Sequence, residues 1–122
     1  MVLAEKIVTA IERGTANTRW RDFVDIAALA SSWELDADRL IGSLRVVADH
    51  RDATLAPLAN VLAGYADLAQ DRWARWRRGQ HLEDATPERF EDLLAVAIAL
   101  ADPLITGSAV GRVWQPARRM WS

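Results

Sequence analysis

Apolar residues recur at intervals of three and four along most of the chain, as on the buried face of an amphipathic helix. This spacing predicts helices over about 2–13, 19–31, 36–51, 57–78 and 87–104. No stretch alternates convincingly between apolar and polar residues with period two, which is the pattern of a half-buried strand. We therefore predict an all-α fold, a single helical bundle of about five helices over residues 1–122.

Residues typical of helix ends support the first three predicted helices. Gly14 stops the first helix, and the short turn after it offers Asn17 or Thr18 as a cap for the second. Asp36 stands where a capping side chain would begin the third helix. The turn is short enough to place the first two helices side by side.

The second half of the chain is interrupted by glycine and proline. We expect the helix over 57–78 to bend near Gly64. A threonine–proline pair at 86–87 predicts the start of the last long helix, and Pro103 is expected to kink or end it. In the tail we expect one or both of Trp114 and Trp121 to pack back on the bundle.

Composition describes an ordinary globular protein: 122 residues, 51% hydrophobic, 26% charged, with a formal net charge of −2. This near balance argues against a surface wrapped in nucleic acid, although a local basic patch remains compatible with it. The longest apolar run, 93–101, is much shorter than the roughly 20 residues of a membrane-spanning helix. The first residues lack the layout of a signal peptide. We expect a cytoplasmic protein without membrane contact.

The sequence lacks the motifs of most catalytic mechanisms. The chain has no cysteine, which excludes disulfides and thiol nucleophiles. His50 and His81 are far apart and lack metal-ligand spacing, so we predict no metal-binding residues. The chain also has no glycine-rich phosphate-binding loop and no Ser/His/Asp order.

Arginine alternates with tryptophan near the end of the fourth predicted helix, at Arg72, Arg75, Arg77 and Arg78. Such a run binds RNA when the arginines contact phosphates and the tryptophans stack on bases. It equally suits a helix C-terminus, where cations complement the macrodipole while the tryptophans face the core. The sequence leaves both interpretations open.

Lys6 is the only lysine among fifteen basic residues, and it lies beside the apolar stripe of the first helix, with Arg13 two turns later. The second helix then carries four charged residues within about two turns: Arg19, Arg21, Asp22 and Asp25. At about 100° per residue Asp22 points to the apolar side and Asp25 to its edge. A buried aspartate is costly unless it is paired. An interhelical salt-bridge network and a phosphate-binding site ordered by Asp22 both fit this pattern.

These residues resemble a known family. Lys6 and Arg13 form the pattern K-x-x-x-x-x-x-R, and residues 19–25 form R-x-K/R-D-x-x-D, with Arg21 where many members carry lysine. Both patterns look like the third and fourth motifs of the AbiEii/AbiGii nucleotidyltransferase toxins. The resemblance is specific over residues 3–29 and loose over the rest of the chain.

The resemblance implies a DNA polymerase β-like nucleotidyltransferase that uses NTP and Mg²⁺. Members are toxins of toxin–antitoxin or phage-defence systems, each neutralised by a cognate antitoxin, and some relatives modify tRNA ends. The implied catalytic residues are Lys6, Asp22 and Asp25. The implied nucleotide contacts are Lys6, Arg13, Arg19 and Arg21.

One family feature is not in this sequence. Members bind magnesium through a G-S-x-D-x-D motif on an N-terminal mixed sheet, and residues 1–122 contain no such motif. Gly42 and Ser43 begin like it but lack both acids. We therefore expect the C-terminal helical part of such an enzyme, inactive without its missing N-terminal half. The alternative is a non-catalytic helical module that docks an antitoxin or a partner subunit.

Overall fold

The apolar stripes form six helices in the computed structural model, which describes residues 2–122. The helices are α1 (Val2–Arg13), α2 (Trp20–Ser32), α3 (Ala37–His50), α4 (Leu58–Val61), α5 (Tyr65–Gly79) and α6 (Phe90–Thr106). A single 3₁₀ turn, Gly14–Ala16, follows α1. The predicted helical fold class is confirmed, and in residues 2–122 no helix is long and apolar enough to cross a membrane.

Helix α6 lies at the centre of the bundle and packs against α2, α3, α4 and α5. It is buried on more than one face, because residues from Phe90 to Leu104 include eight buried side chains. An aromatic cluster joins the first turn of α6 to α2 and α5. The ring centroid of Phe90 lies 5.1 Å from that of Tyr65 and 5.4 Å from that of Trp73. Helix α1 packs on the outer side, against α2 and α3.

A small antiparallel sheet closes the fold beside α2 and α3. Its strands are β1 (Leu35–Asp36), β2 (Val113–Gln115) and β3 (Met120–Trp121), in the order β1-β2-β3. These strands are too short to show an alternating pattern in the sequence.

The expected packing of the two tail tryptophans is confirmed, because both are buried and hydrogen-bonded. The indole N–H of Trp114 donates to the Ala30 carbonyl at 2.7 Å, and that of Trp121 donates to the Leu100 carbonyl at 3.0 Å. The sheet therefore fastens the C-terminal tail to α2 and α6.

Two predicted helix boundaries in the second half are wrong. Gly64, with φ of +80°, separates α4 from α5, so the expected bend is a complete break. Helix α6 starts at Phe90 rather than at 86–87, because Arg77 holds Thr86 in the preceding loop while Gln70 accepts from the Phe90 N–H at 2.7 Å.

Pro103 does not end α6, which continues to Thr106 and stops at Gly107, with φ of +89°. The residue before the proline is anchored by tertiary contacts: the Asp102 carboxylate accepts from the backbone N–H groups of Leu58 and Ala59 at 2.6 and 3.1 Å. This carboxylate satisfies the first donors of α4, which a helix end otherwise leaves unpaired. Helix α6 therefore continues past the proline, and Asp102 fastens α4 to it.

The Trp114 contacts predict a large loss of stability in Trp114→Ala. Truncation leaves a cavity between β2 and α2 and removes the hydrogen bond to Ala30, so we expect a loss of about 3–5 kcal/mol in the free energy of unfolding. Urea denaturation measures it. Met120→Ala, on the adjacent strand at a half-exposed position, is the control and should cost less than about 0.5 kcal/mol. Similar losses in the two variants would contradict this account of the sheet.

Candidate functional site

The turn between α1 and α2 brings the charged residues of the two helices together. Gly14 adopts φ of +54°, which glycine tolerates best. Asn17 is buried; its side-chain oxygen accepts from the Arg19 N–H at 2.7 Å, and its carbonyl accepts from the Tyr65 hydroxyl. Asn17 therefore orders the chain before α2, but the predicted cap at Asn17 or Thr18 is wrong, because the N-cap residue is Arg19 and its side chain makes no capping hydrogen bond.

Lys6 bridges the two helices. Its Nζ lies 3.0 Å from Oδ1 of Asp22 and 3.0 Å from Oδ2 of Asp25. The side chains are 19% exposed for Lys6, 7% for Asp22 and 38% for Asp25. The lysine head is thus largely shielded, and it separates a buried carboxylate from one that reaches the solvent.

Arg19 completes the arrangement by placing its Nε 2.8 Å from Oδ2 of Asp22. Both carboxylate oxygens of Asp22 therefore accept charged hydrogen bonds, which are stronger than neutral ones. We call Lys6, Arg19, Asp22 and Asp25 the Lys6 cluster. It contains two positive and two negative groups, so it carries no net charge.

For Lys6 and Asp22, ion pairing outweighs burial and decides the direction in which the pKa of each group is shifted. Burial by itself would raise the pKa of Asp22, but the hydrogen bonds and charges of Lys6 and Arg19 outweigh it and hold that pKa below the ordinary 3.8. Burial likewise opposes the charge on Lys6, yet Asp22 and Asp25 raise the pKa of its ammonium above the ordinary 10.5. Both groups are ionised across the physiological range.

Two depressions open on either side of Lys6. The first is a groove of about 350 Å³ between α1 and the end of α2, lined by Val2, Lys6, Asp25, Ala28, Leu29, Ser32 and Trp33. The second is a smaller hollow of about 170 Å³, lined by Val2, Glu5, Lys6, Thr9, Arg19, Asp22 and Arg51. We call them the Trp33 groove and the Arg51 hollow; Lys6 lies at the boundary between them.

Arg51 is a further candidate residue that no motif or spacing in the sequence indicates. It follows α3, and its guanidinium donates to the Thr9 hydroxyl at 2.8 Å and to the Glu12 carboxylate at 3.1 Å. Its position depends on how α3 packs against α1, so no spacing within the sequence signals it. It adds a second guanidinium beside Lys6.

Two predicted nucleotide contacts lie outside the Lys6 cluster. Arg13 is exposed at the end of α1 and forms no ion pair with any residue in 2–122. Arg21 faces α5, where its guanidinium lies over the Trp76 ring at 5.6 Å from the centroid and donates to Gln80 at 3.5 Å. The structure thus unites Lys6, Arg19, Asp22 and Asp25 but not these two arginines.

Three residues of the arginine–tryptophan run of α5, namely Trp73, Trp76 and Arg77, make contacts within the protein. Trp73 is fully buried and Trp76 packs against the core, so neither offers a free ring face to a base. Arg77 donates to Thr86 and to the Glu83 carbonyl, which holds the loop before α6. Arg72, Arg75 and Arg78 are exposed. RNA binding by this helix stays a prediction that would rest on those three side chains.

The donors present do not form a magnesium site by themselves. No group of three or more His, Asp or Glu side chains in residues 2–122 is arranged to hold a metal ion. Both oxygens of Asp22 are engaged by cations, and one oxygen of Asp25 is engaged by Lys6. Magnesium usually binds through carboxylates, waters and substrate phosphates, so these residues would need further carboxylates to hold it.

The fold and this site define a helical protein with an interhelical lysine–aspartate cluster between two surface depressions. The sequence profile of the family described as nucleotidyl transferase AbiEii toxin, type IV TA system, matches residues 1–96. The chain belongs to this family of toxin–antitoxin systems. The match includes every residue of the Lys6 cluster. Neither a curated protein nor a solved structure matches the chain.

Removal of the Lys6 charge should destabilise the fold. Lys6→Met keeps the apolar stem but leaves Asp22, which is almost fully buried, with Arg19 as its only cationic partner, so we expect a loss of about 2 kcal/mol in the free energy of unfolding. Arg89→Met breaks an exposed pair with Glu91 and is the matched control, with an expected cost below about 1 kcal/mol. Equal effects in urea denaturation would show that burial of the Lys6 cluster does not matter.

The lowered pKa of Asp22 predicts a pH dependence. The unfolded chain binds a proton at Asp22 near pH 3.8, whereas the folded chain binds it only at lower pH, so this stabilisation is present above 3.8 and is lost as the pH falls through the folded value. Urea denaturation from about pH 5 to about pH 2.5 should therefore give a shallower loss of stability for Asp22→Asn than for the wild type. Parallel profiles would contradict the assignment.

Proposed function

We propose that this chain is the C-terminal helical part of an AbiEii-type nucleotidyltransferase toxin and carries the lysine–aspartate half of its NTP-binding site. The supporting observation is the bridge from Lys6 to Asp22 and Asp25, at 3.0 Å each, between two helices with the family's motif spacing. In this proposal residues 1–122 act as one helical domain, with carboxylates from outside them completing the site.

The ammonium group of Lys6 suits a phosphate contact. It has three N–H donors, of which Asp22 and Asp25 take two, and one remains for a phosphate oxygen. Asp25 is the more exposed partner and can exchange its place for a phosphate, whereas Asp22 is buried and stays. The role of Asp22 is then to keep Lys6 charged and aimed at the surface.

The Arg51 hollow places two guanidinium groups beside this contact, together with the carboxylates of Glu5 and Asp22. Arg19 and Arg51 both line it together with Lys6. Guanidinium groups match phosphate oxygens in geometry and remain charged at every relevant pH. We assign Lys6, Arg19 and Arg51 to the phosphates in this proposal. Arg13 and Arg21 stay predictions for nucleotide contact without a place in this cluster.

Catalysis needs more than this half. The family implies NTP and Mg²⁺ as well as a cognate antitoxin. Metal-assisted phosphoryl transfer relies on carboxylates clustered around the ions, and the carboxylates of the Lys6 cluster are engaged by lysine and arginine. The residues present bind and orient phosphates, and we propose that the chain alone transfers no nucleotide.

The second candidate is a non-catalytic docking module for an antitoxin or partner subunit. It is favoured by the exposed apolar side chains at the Trp33 groove, since Val2 is 61% and Trp33 62% exposed. Such side chains commonly lie at protein interfaces. In this alternative the Lys6 cluster is purely a salt-bridge network, and nucleotides do not bind.

Calorimetry with NTP tests the proposal. The wild-type chain should bind NTP weakly, with a Kd of roughly 0.1–1 mM, because a few charged contacts supply only about 4–5.5 kcal/mol. Lys6→Gln should weaken binding about tenfold. Added Mg²⁺ should change the Kd little, and no nucleotidyl transfer should be detected.

Arg118→Gln is the matched control, since it removes one exposed positive charge in the β2–β3 turn. It should leave the Kd unchanged. Tight, magnesium-dependent binding by the wild type would contradict the proposal that the site is incomplete. Equal binding by wild type and Lys6→Gln, or no binding at all, would contradict the phosphate role of Lys6 and favour the docking module.

A further inference from the structure

Trp33 is the one mostly exposed tryptophan in the described part of the chain. It is 62% exposed, whereas Trp20, Trp73, Trp114 and Trp121 are buried. The sixth, Trp76, packs against the core with Arg21 over its ring. A ligand that covers this indole would gain free energy, because removing apolar surface from water is favourable.

The backbone holds Trp33 in a defined place. Trp33 directly follows the last residue of α2 and is its C-cap. Its backbone is extended, with φ of −127° and ψ of 140°, and its N–H donates to the Leu29 carbonyl at 3.1 Å. Two residues later Leu35 pairs with Trp114 in the sheet. The chain is therefore anchored on both sides of the exposed ring, so little backbone freedom would be lost when a ligand binds there.

The surroundings of Trp33 divide into an apolar and a polar side. The Trp33 groove offers the indole, Leu29 and Ala28, and it ends at Lys6. On the other side of Lys6 the Arg51 hollow offers the guanidinium groups of Arg19 and Arg51, beside the carboxylates of Glu5 and Asp22. The groove alone, at about 350 Å³, reaches the usual size of a small-molecule site.

We infer that the Trp33 indole stacks on the base of a nucleotide whose phosphates extend past Lys6 into the Arg51 hollow. This inference rests on the proposed function and adds the base-binding surface of the same site. Every nucleobase has a flat face that stacks on an aromatic ring, and the contact tolerates different bases. An aromatic ring on one side of a lysine and arginines on the other fit a ligand with a flat base and an anionic tail.

A purely apolar partner segment fits this groove less well. Lys6 and Asp25 form part of its wall, so such a segment would cover a lysine and a carboxylate that are only partly buried. Covering charged groups without new polar partners is unfavourable. A nucleotide instead leaves the charged end of the groove to its own phosphates.

Calorimetry of the full chain with ATP, GTP, CTP and UTP, and with inorganic tripolyphosphate as a probe without a base, tests this arrangement. Trp33→Ala should weaken nucleotide binding about tenfold, as loss of one stacked base predicts, and leave the Kd of tripolyphosphate unchanged. Trp33→Phe should retain most of the affinity because phenylalanine also stacks, whereas Trp33→Leu should behave like Trp33→Ala. Leu68→Ala, which truncates an exposed apolar residue on α5, is the control and should change nothing.

Tryptophan fluorescence gives an independent readout. Nucleotides should quench part of the wild-type emission, and this quenching should disappear in Trp33→Phe. The inference fails if Trp33→Ala binds nucleotides as the wild type does, or if it loses nucleotide and tripolyphosphate equally. In those cases a Lys6-dependent Kd would still support the proposed function. If the wild type binds neither ligand, the proposed function and the inference fall together.

Discussion

Asp22 imposes the constraint on which the first two helices depend. Its carboxylate is almost completely buried at the start of α2, and a buried charge is tolerated only when it is paired and hydrogen-bonded. One oxygen needs Lys6 from α1 and the other needs Arg19 from the turn before α2. A rotation of α1 or a shift of the turn by one residue would break one of these contacts. The register of α1 on α2 is thus tied to this carboxylate as well as to apolar packing.

Much of this cluster was predictable, because its members obey local periodicity. The 3.6-residue repeat places Asp22 toward the apolar side of α2 and Lys6 beside the stripe of α1, and the short turn leaves the two helices adjacent. The distances and the sharing of Lys6 between Asp22 and Asp25 were not predictable. Arg51 was not predictable, since its position depends on how α3 packs on α1. The Trp33 groove lies between the neighbouring helices α1 and α2, but the helical repeat does not show that Trp33, just after α2, stays exposed.

The errors at helix boundaries have the same origin. Threonine and proline at 86–87 are a sound local signal for a helix start, yet Arg77 and Gln70 fix where α6 begins. Pro103 is a local signal for a kink or an end of a helix; α6 continues past it to Thr106, and Asp102 joins α6 to the first donors of α4. In each case hydrogen bonds with residues of another part of the chain accompany the observed boundary. The helical class was predictable because the apolar stripes are long; the ends were not.

The balance of charge within the Lys6 cluster sets the condition for the proposed phosphate binding. Two cations and two carboxylates neutralise one another, so the cluster attracts a phosphate strongly only if a carboxylate yields its place. Asp22 cannot yield, because leaving it unpaired in its buried position would cost stability, whereas Asp25 stands at the edge and reaches water. In the proposed function, phosphate binding at Lys6 would therefore release Asp25, and repulsion from the bound phosphate would turn the released carboxylate toward the solvent.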